Sequence, residues 1–366
     1  MPFTQIDAAT RVVALALALI VAACQSTQPT SEPTVSSPPA PTPTRPPTNA
    51  PTDVPSSPSP EPSPEPTLPD YAGADALIPV ASGPRGVAWI DGHIWVASTR
   101  GDLVQKVDPA TNEIVAEISV GRRPVTLVTL DDRLWVSVLN DEPVDDDHVI
   151  RIDPATSAVE LEVTVPVHHN IAAGAGAIWA LDMSGQLRRV DPTSGEVAEV
   201  IGSGAAPVAL AATDTAVFGI RGDRMVWRHE IGTNELLEAP LPVSVPGRSR
   251  VAATDGGVWV AVPGLVLSLD PDSLAVRAEL TLPGMSLVND LYVTGSDVWL
   301  SANVSSEDLG LGGGSILQLD PDDLEIRQTF RLGPESSGVV EAEGTLWAVD
   351  QAEHRLARFN LPAAGL

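Results

Sequence analysis

The chain has 366 residues and a formal net charge of -27, from 21 Lys and Arg against 48 Asp and Glu. Such an acidic surface repels phosphate backbones, which argues against nucleic acid as a partner. Cys24 is the single cysteine, so no disulfide forms within the chain and buried apolar side chains must stabilise it. The length exceeds that of a typical domain, but folds built from radial repeats routinely run larger.

Residues 1–23 are predicted to be a lipoprotein signal peptide. The apolar run 12–23 follows Arg11 and is too short to cross a ~30 Å hydrocarbon core as a permanent helix. It ends in Val21-Ala22-Ala23-Cys24, which resembles the bacterial lipobox. The resemblance implies that Cys24 is diacylated and becomes the first mature residue. We therefore expect an extracytoplasmic protein, anchored to the bacterial cell membrane or envelope without spanning it.

Residues 24–69, which begin with the lipidated cysteine, are predicted to be a disordered linker. They are rich in Pro, Ser and Thr and contain almost nothing apolar. Such a segment cannot bury enough surface to fold, and its prolines favour an extended polyproline II conformation. At ~3.1 Å per residue, about 45 residues reach up to ~140 Å. The linker would act as a stalk for a folded domain at 70–366.

An aromatic residue recurs through the predicted domain at intervals of 39 to 48 residues. It stands in frames such as Gly92-His93-Ile94-Trp95-Val96-Ala97, and its positions are Trp95, Trp135, Trp179, Phe218, Trp259, Trp299 and Trp347. A period near 40 to 45 residues with about four strands per unit is typical of a β-propeller. Seven copies predict seven blades.

An Asp-Pro pair follows most of these aromatic positions. The pairs are Asp108-Pro109, Asp153-Pro154, Asp191-Pro192, Asp270-Pro271 and Asp320-Pro321. Proline cannot donate to a strand ladder, and the aspartate can close a turn, so each pair marks a strand exit. The fourth and last units depart from the pattern, with Arg228-His229-Glu230 and Phe359-Asn360.

Each unit divides into four strands, A to D, for example 126–130, 134–139, 149–152 and 159–165. The last unit stops near Asn360 and lacks its outer strand, whereas residues 76–83 resemble the outer strand 197–204. The sequence therefore predicts an all-β, seven-bladed propeller in which an N-terminal strand completes the last blade. A β-solenoid is the alternative, but it would not need a split unit.

The repeat, with Trp-Val-Ala/Ser in strand B and Val-Asp-Pro-Ala-Thr after strand C, resembles the YVTN-type propellers over residues 75–361. It is also similar to the streptogramin lyases. That resemblance implies histidines at A-strand starts and a glutamate three residues after a strand-B aromatic. Here His169 matches one histidine position, with Val125 and Val208 in the neighbouring blades, and Asp182 and Asp350 stand in the acid position.

Positions counted back from the aromatics fall at the start of each A strand, which lines the central channel. Polar residues from several blades converge at this channel mouth: Arg85, His169, Asn170, Arg250, Asn289 and Asp290. Cations on the adjoining D–A loops are Arg122, Arg123, His168 and Arg248. Positive charge here could focus an anionic ligand. In the alternative interpretation the channel is simply wet and polar, and Arg250 pairs with Asp290.

No metal site is predicted. His168 and His169 are adjacent on a strand and point to opposite faces, and the acidic tip 145–148 lacks the ligand spacing of a calcium loop. Enlarged B–C loops at 140–148 and 304–314 either elaborate one face or have drifted.

Two main functional hypotheses follow. The first is a non-catalytic module that binds a ligand, glycan or partner protein through the channel-mouth face. The second is a lyase or hydrolase that acts with His169, Asp182 and a divalent cation. A quinone-cofactor dehydrogenase is a remote third hypothesis. It needs a buried calcium ion and a tryptophan that stacks near the channel, and only Trp89 and Trp227 lie outside the repeat frame.

Overall fold

The computed structural model describes residues 71–140, 147–167, 170–182, 184–202, 204, 207–306 and 309–362. The predicted signal peptide, Cys24 and the predicted linker lie outside these residues. In the described part of the chain, no helix is long and apolar enough to cross a membrane.

The described residues form seven four-stranded antiparallel sheets, which are the seven predicted blades. The closing strand and blades 1 to 3 comprise β1 (Ala74–Pro79), β2 (Pro84–Ile90), β3 (His93–Ser98), β4 (Leu103–Asp108), β5 (Glu113–Ser119), β6 (Pro124–Leu130), β7 (Arg133–Val138), β8 (His148–Asp153), β9 (Ala158–Thr164), β10 (Ile171–Gly174), β11 (Ala177–Leu181), β12 (Gln186–Val190) and β13 (Val197–Gly202). Blades 4 to 7 comprise β14 (Pro207–Ala212), β15 (Ala216–Arg221), β16 (Met225–Glu230), β17 (Leu236–Pro240), β18 (Arg250–Thr254), β19 (Gly257–Val262), β20 (Leu265–Leu269), β21 (Val276–Thr281), β22 (Met285–Val293), β23 (Val298–Val304), β24 (Gly314–Leu319), β25 (Ile326–Arg331), β26 (Ser336–Ala342), β27 (Thr345–Asp350) and β28 (Arg355–Asn360).

The first and last strands of the chain pair with each other, as predicted. Blade 7 has the order β26-β27-β28-β1, and the ladder places Pro79 opposite Arg355. The predicted strand 76–83 extends too far, because the ladder ends at Pro79. The chain then crosses to blade 1, where the amides of Thr99 and Arg100 donate to the carbonyls of Gly83 and Ser82.

The recurring aromatic residues hold neighbouring blades together. Trp95 of blade 1 is completely buried and packs in one cluster with Leu134 and Val136 of blade 2. Trp347 of blade 7 packs in the same way against Ile94 of blade 1, which continues the contact across the closure. The period exists because each blade needs a large apolar side chain to fill its interface with the next.

The Asp-Pro pairs act at two levels. The aspartate closes the predicted turn, as where Asp270 accepts hydrogen bonds from the amides of Asp272 (3.1 Å) and Ser273 (2.8 Å). In several blades the proline carbonyl also accepts a hydrogen bond from the preceding blade. Lys106 Nζ donates to Pro154 at 2.8 Å. The motif therefore shapes a turn and links two blades.

Candidate functional site

The seven A strands surround a central channel. They are the strands β2, β6, β10, β14, β18, β22 and β26, each at one end of its sheet. Residues from all seven line one cavity of about 400 Å³. Because the channel side of each A strand has no further strand to pair with, its backbone N–H and C=O groups face the channel.

Two smaller cavities form the channel mouth, at the start of the A strands. The first, of about 100 Å³, is lined in part by Arg85, Asn170, Arg250, Asn289 and Asp290. The second, of about 50 Å³, shares Arg85, Arg250 and Asn289 and adds an arginine from a D–A loop, Arg248. Five predicted site residues are thus brought together. The sixth, His169, lies outside the described residues.

β-Bulges explain why adjacent positions can both reach the mouth. Neighbouring strand residues normally point to opposite faces. In β2, however, the register shifts between Pro84 and Gly86, which makes Arg85 an extra residue in its strand. The register of β22 shifts in the same way around Asn289. A bulge re-aims a side chain, and here it adds Arg85 and Asn289 to the mouth.

The guanidinium group of Arg85 has no partner among the described residues. Within the ranges that the structure describes, it makes no hydrogen bond or ion pair, although the Arg85 carbonyl accepts one from Ser337 Oγ (3.3 Å). Burial lowers the pKa of Arg85, and repulsion from Arg248 and Arg123 lowers it further, while attraction from Glu335 and Asp290 opposes part of this shift. The side chain is therefore a poorly compensated cation.

Arg250 is similarly under-compensated. Its Nη1 donates to the carbonyl of Ser249 at 2.9 Å. No carboxylate of the described residues lies within 4.0 Å of its guanidinium nitrogens, so the alternative pairing with Asp290 does not form. Burial lowers the pKa of Arg250 to about 10, and Arg85 adds to this effect while Asp290 opposes it. Arg250 remains charged at neutral pH.

Asp290 lines the mouth but is engaged with the backbone. Its Oδ1 accepts from the amide of Leu291 (2.9 Å) and its Oδ2 from the amide of Val339 in blade 7 (3.0 Å). Burial raises the pKa of Asp290, although these hydrogen bonds and Arg250 counteract part of that rise. The carboxylate joins blades 6 and 7, and neither Arg85 nor Arg250 has a direct counterion among the described residues, whereas Arg248 lies 3.8 Å from Glu335.

Two amide side chains complete the polar part of the mouth. Asn289 Nδ2 donates to Asn303 Oδ1 at 2.9 Å, which leaves Asn289 Oδ1 without a partner among the described residues. Asn170 makes no side-chain hydrogen bond with any part of the chain that is described. The mouth thus combines three guanidinium groups with amide groups that can donate or accept.

Sequence reasoning missed two aromatic residues in the channel below the mouth, Trp89 and Tyr292. Both are half-buried. The sequence did mark one of them, because Trp89 lies outside the repeat frame that most of the buried tryptophans follow. Tyr292 is one of only two tyrosines in the chain, and no spacing marks it.

The proposed catalytic acid Asp182 closes a turn. Its Oδ1 accepts from the Ser184 amide (2.9 Å), the Ser184 hydroxyl (2.6 Å) and the Gln186 amide (2.9 Å), and Arg188 lies 3.3 Å from Oδ2. Burial acts to raise the pKa of Asp182, but these hydrogen bonds outweigh it and lower the pKa. The carboxylate is ionised and occupied, and it is not among the residues that line the channel.

The acidic loop can be followed only in part, since residues 141–146 lie outside the described ranges. Asp147 is buried, and its Oδ1 accepts from the amide of Asn140 at 2.7 Å. In the chain segments that are described, no group of three His, Cys, Asp or Glu could hold a metal ion.

The fold and the site define a class of protein, the seven-bladed β-propeller. No family model and no curated protein matches the sequence. Solved structures do match it, among them the crystal structure of the computationally designed protein Ika8. That alignment has a TM-score of 0.56 at 12% identity and covers 78% of this chain and 100% of the designed one. At this identity the likeness shows the fold alone, and propellers host many activities.

Proposed function

We propose that the protein is a non-catalytic binding module of the cell envelope, which takes an anionic ligand at the channel mouth. One observation carries the proposal. Arg85 and Arg250 line the same two small cavities, and neither guanidinium group has a carboxylate partner in the described residues. Both side chains are half-buried, and charges withdrawn from water are normally paired, so a ligand anion would supply the missing counterion.

Electrostatics support an anion at this place. The chain carries a net charge of -27, yet the mouth gathers arginines from blades 1 and 5. A cleft lined by charges of one sign focuses the electrostatic field and attracts ligands of the opposite charge. Hydrogen bonds between arginine and a carboxylate or phosphate are short, strong and frequently bidentate.

The N-terminal sequence supports presentation outside the cell. A lipid anchor on Cys24 and a Pro-rich linker at 24–69 would hold the propeller away from the bacterial membrane, where its mouth meets a ligand, glycan or protein. The repeat consensus also leads us to group the chain with the YVTN-type and streptogramin-lyase-like propellers. Labelled palmitate should enter the wild-type protein in cells but not Cys24→Ser, and equal labelling of both would refute the anchor.

The lyase or hydrolase alternative receives less support. It needs an available carboxylate, whereas Oδ1 of Asp182 accepts three hydrogen bonds within its turn and Arg188 lies 3.3 Å from Oδ2. We therefore favour binding over turnover.

Thermal unfolding of the purified full-length protein tests the proposal. The panel contains anionic and neutral sugars, cell-wall fragments, and divalent metals with a chelator control. A ligand at 100 times its dissociation constant stabilises the folded state by ~2.7 kcal/mol. We expect stabilisation by anionic compounds, lost in Arg250→Gln and kept in Arg122→Gln, which removes an exposed charge from the same face. Stabilisation confined to metals, or equal in both variants, would overturn the proposal.

A further inference from the structure

The wall of the channel below the mouth is strongly asymmetric. In blades 1 to 6, two consecutive positions of each A strand line the channel at this depth. Blades 3, 4 and 5 present only alanine there: Ala172, Ala173, Ala211, Ala212, Ala252 and Ala253. The neighbouring sector carries Trp89 from blade 1 and Tyr292 from blade 6. One side therefore leaves space, and the other presents two aromatic rings.

Both aromatic residues also present an unused polar atom. Among the described residues, neither Trp89 Nε1 nor the Tyr292 hydroxyl makes a hydrogen bond, and neither atom is sealed from solvent. The other seven tryptophans are at most 5% exposed. The hydroxyl of Tyr71 is bonded to Asp350. Trp95, Trp135 and Trp227 also have an Nε1 without a partner in the described residues, but there the atom is buried. Trp89 and Tyr292 are thus distinguished from the structural aromatics by their position and by an unused polar atom that a ligand can reach.

The separation along the A strands between the mouth and the two aromatic residues sets the length of a ligand. Tyr292 lies two residues beyond Asp290 on β22, or ~7 Å at the usual strand rise. Trp89 lies three residues beyond Gly86 on β2, or ~10 Å. A molecule with an anionic group at the mouth would need a body of about this length to contact both rings.

The chemistry of the wall selects a polar body. The free edges of seven A strands expose backbone N–H and C=O groups to the channel, and Asn170 adds an amide side chain that makes no hydrogen bond to the described residues. Covering these groups with an aliphatic chain would leave them without hydrogen bonds, which is costly. A sugar has hydroxyl groups to satisfy them, and its C–H faces stack on aromatic rings.

We propose that the channel takes a carboxylated sugar, such as the terminal hexuronate of an acidic glycan. Its carboxylate would contact Arg85 and Arg250, while the ring and hydroxyl groups would contact Tyr292 and Trp89. This inference rests on the proposed function, because it assigns a chemical class to the ligand of the same mouth.

Isothermal titration calorimetry of the purified full-length protein tests the inference with four probes. Galacturonate carries both the anion and the sugar ring, galactose only the ring, acetate only the anion, and octanoate an anion on an aliphatic chain. We expect galacturonate to bind at least about tenfold more tightly than each of the others, a difference of about 1.4 kcal/mol, because each of the others lacks either the charged or the sugar contacts.

Variants separate the two parts of the ligand. Trp89→Leu and Tyr292→Phe should each weaken galacturonate severalfold and leave acetate unchanged, whereas Arg85→Gln should weaken both and Arg122→Gln neither. Trp89→Leu removes packing and could disturb the fold. Tyr292→Phe removes a hydroxyl with no partner among the described residues, so it tests the sugar contact in an intact channel.

The outcomes distinguish the two proposals. If galacturonate and acetate bind equally and Tyr292→Phe changes neither, the anion site stands and the sugar inference fails. Tighter binding of octanoate than of galacturonate would also overturn the sugar inference. If no anion binds in a manner that depends on Arg85, the proposed function and the inference both fail.

Discussion

The hydroxyl of Tyr71 donates a 2.7 Å hydrogen bond to Oδ2 of Asp350. Tyr71 lies just before the closing strand β1, and Asp350 ends β27 in the same blade, fully buried. Oδ1 of Asp350 accepts from the amides of Ala352 and Glu353. Burial raises the pKa of Asp350, and the Tyr71 hydrogen bond counteracts this. The contact holds the start of the strand that closes the ring.

Removal of this hydroxyl should therefore weaken the closure. Tyr71→Phe leaves one oxygen of a buried carboxylate without its donor, and we expect a loss of ~1–3 kcal/mol in the free energy of unfolding. Urea unfolding measures it. Tyr292→Phe is the matched control, because its hydroxyl has no partner in the described residues. Equal effects of the two substitutions would contradict the assignment.

The only lysine of the chain should matter for contact between blades. Lys106 is 7% exposed, and its Nζ reaches the buried carbonyl of Pro154 in blade 2 and lies 5.4 Å from the ring centroid of Trp95. Lys106→Met removes the donor and should cost ~1–3 kcal/mol. Lys106→Arg should retain most of the stability, since Arg151 makes the corresponding contact to Pro192. A fully stable Lys106→Met protein would show that the contact contributes nothing.

The Asp-Pro turns should make the fold sensitive to acid. Hydrogen bonds from Ser273 lower the pKa of Asp270 well below its ordinary 3.8. Because the unfolded chain takes up the proton first, the stability that this carboxylate adds is present above pH 3.8 and is lost as the pH falls further.

Asp270→Asn should therefore lose less stability than the wild type between pH 5 and about pH 2, as measured by urea unfolding. Asp255→Asn is the control, because it removes the same charge from an exposed residue that makes no hydrogen bond in the described structure. An acid dependence of Asp270→Asn identical to that of the wild type would refute the role of the turn.

Close approach of neighbouring A strands should make Gly338 irreplaceable. A Cβ atom there would lie 2.4 Å from the carbonyl oxygen of Arg85. Gly338→Ala should therefore lower the free energy of unfolding by ~1–3 kcal/mol through overpacking, which lowers the melting temperature. It should also disturb the mouth. A Cβ at Gly295 meets nothing within 4 Å, so Gly295→Ala should be nearly neutral. Similar melting temperatures for both variants would contradict this account.

The fold could be predicted from the sequence because its strongest signals are also its main contacts. The aromatic position that Trp95 occupies recurs in later units because each blade packs an aromatic residue against the next. The Asp-Pro pair that contains Asp270 recurs in other blades because the turn needs the aspartate carboxylate. The closing strand was predictable because one unit lacked its outer strand. Its end was not predictable, since Ser82 and Gly83 accept hydrogen bonds from the backbone of blade 1.

The site could be predicted only as a set of positions. Counting from the aromatic residues placed Arg85 and Arg250 at one mouth, but their lack of counterions could not be read from the sequence. Opposite charges at neighbouring positions suggested that Arg250 pairs with Asp290, whereas Asp290 binds the amide of Val339. Tyr292 was missed because side chains that face a channel follow no spacing of their own.

The most direct test of the account is the free energy of unfolding of Arg85→Gln, measured by urea denaturation without any ligand. A binding residue held as an uncompensated cation destabilises the empty protein, so the variant should be at least as stable as the wild type. It should also lose the stabilisation that a carboxylate gives the wild type. A loss of more than about 1 kcal/mol in the empty protein would instead show that Arg85 is a structural residue and would contradict the account.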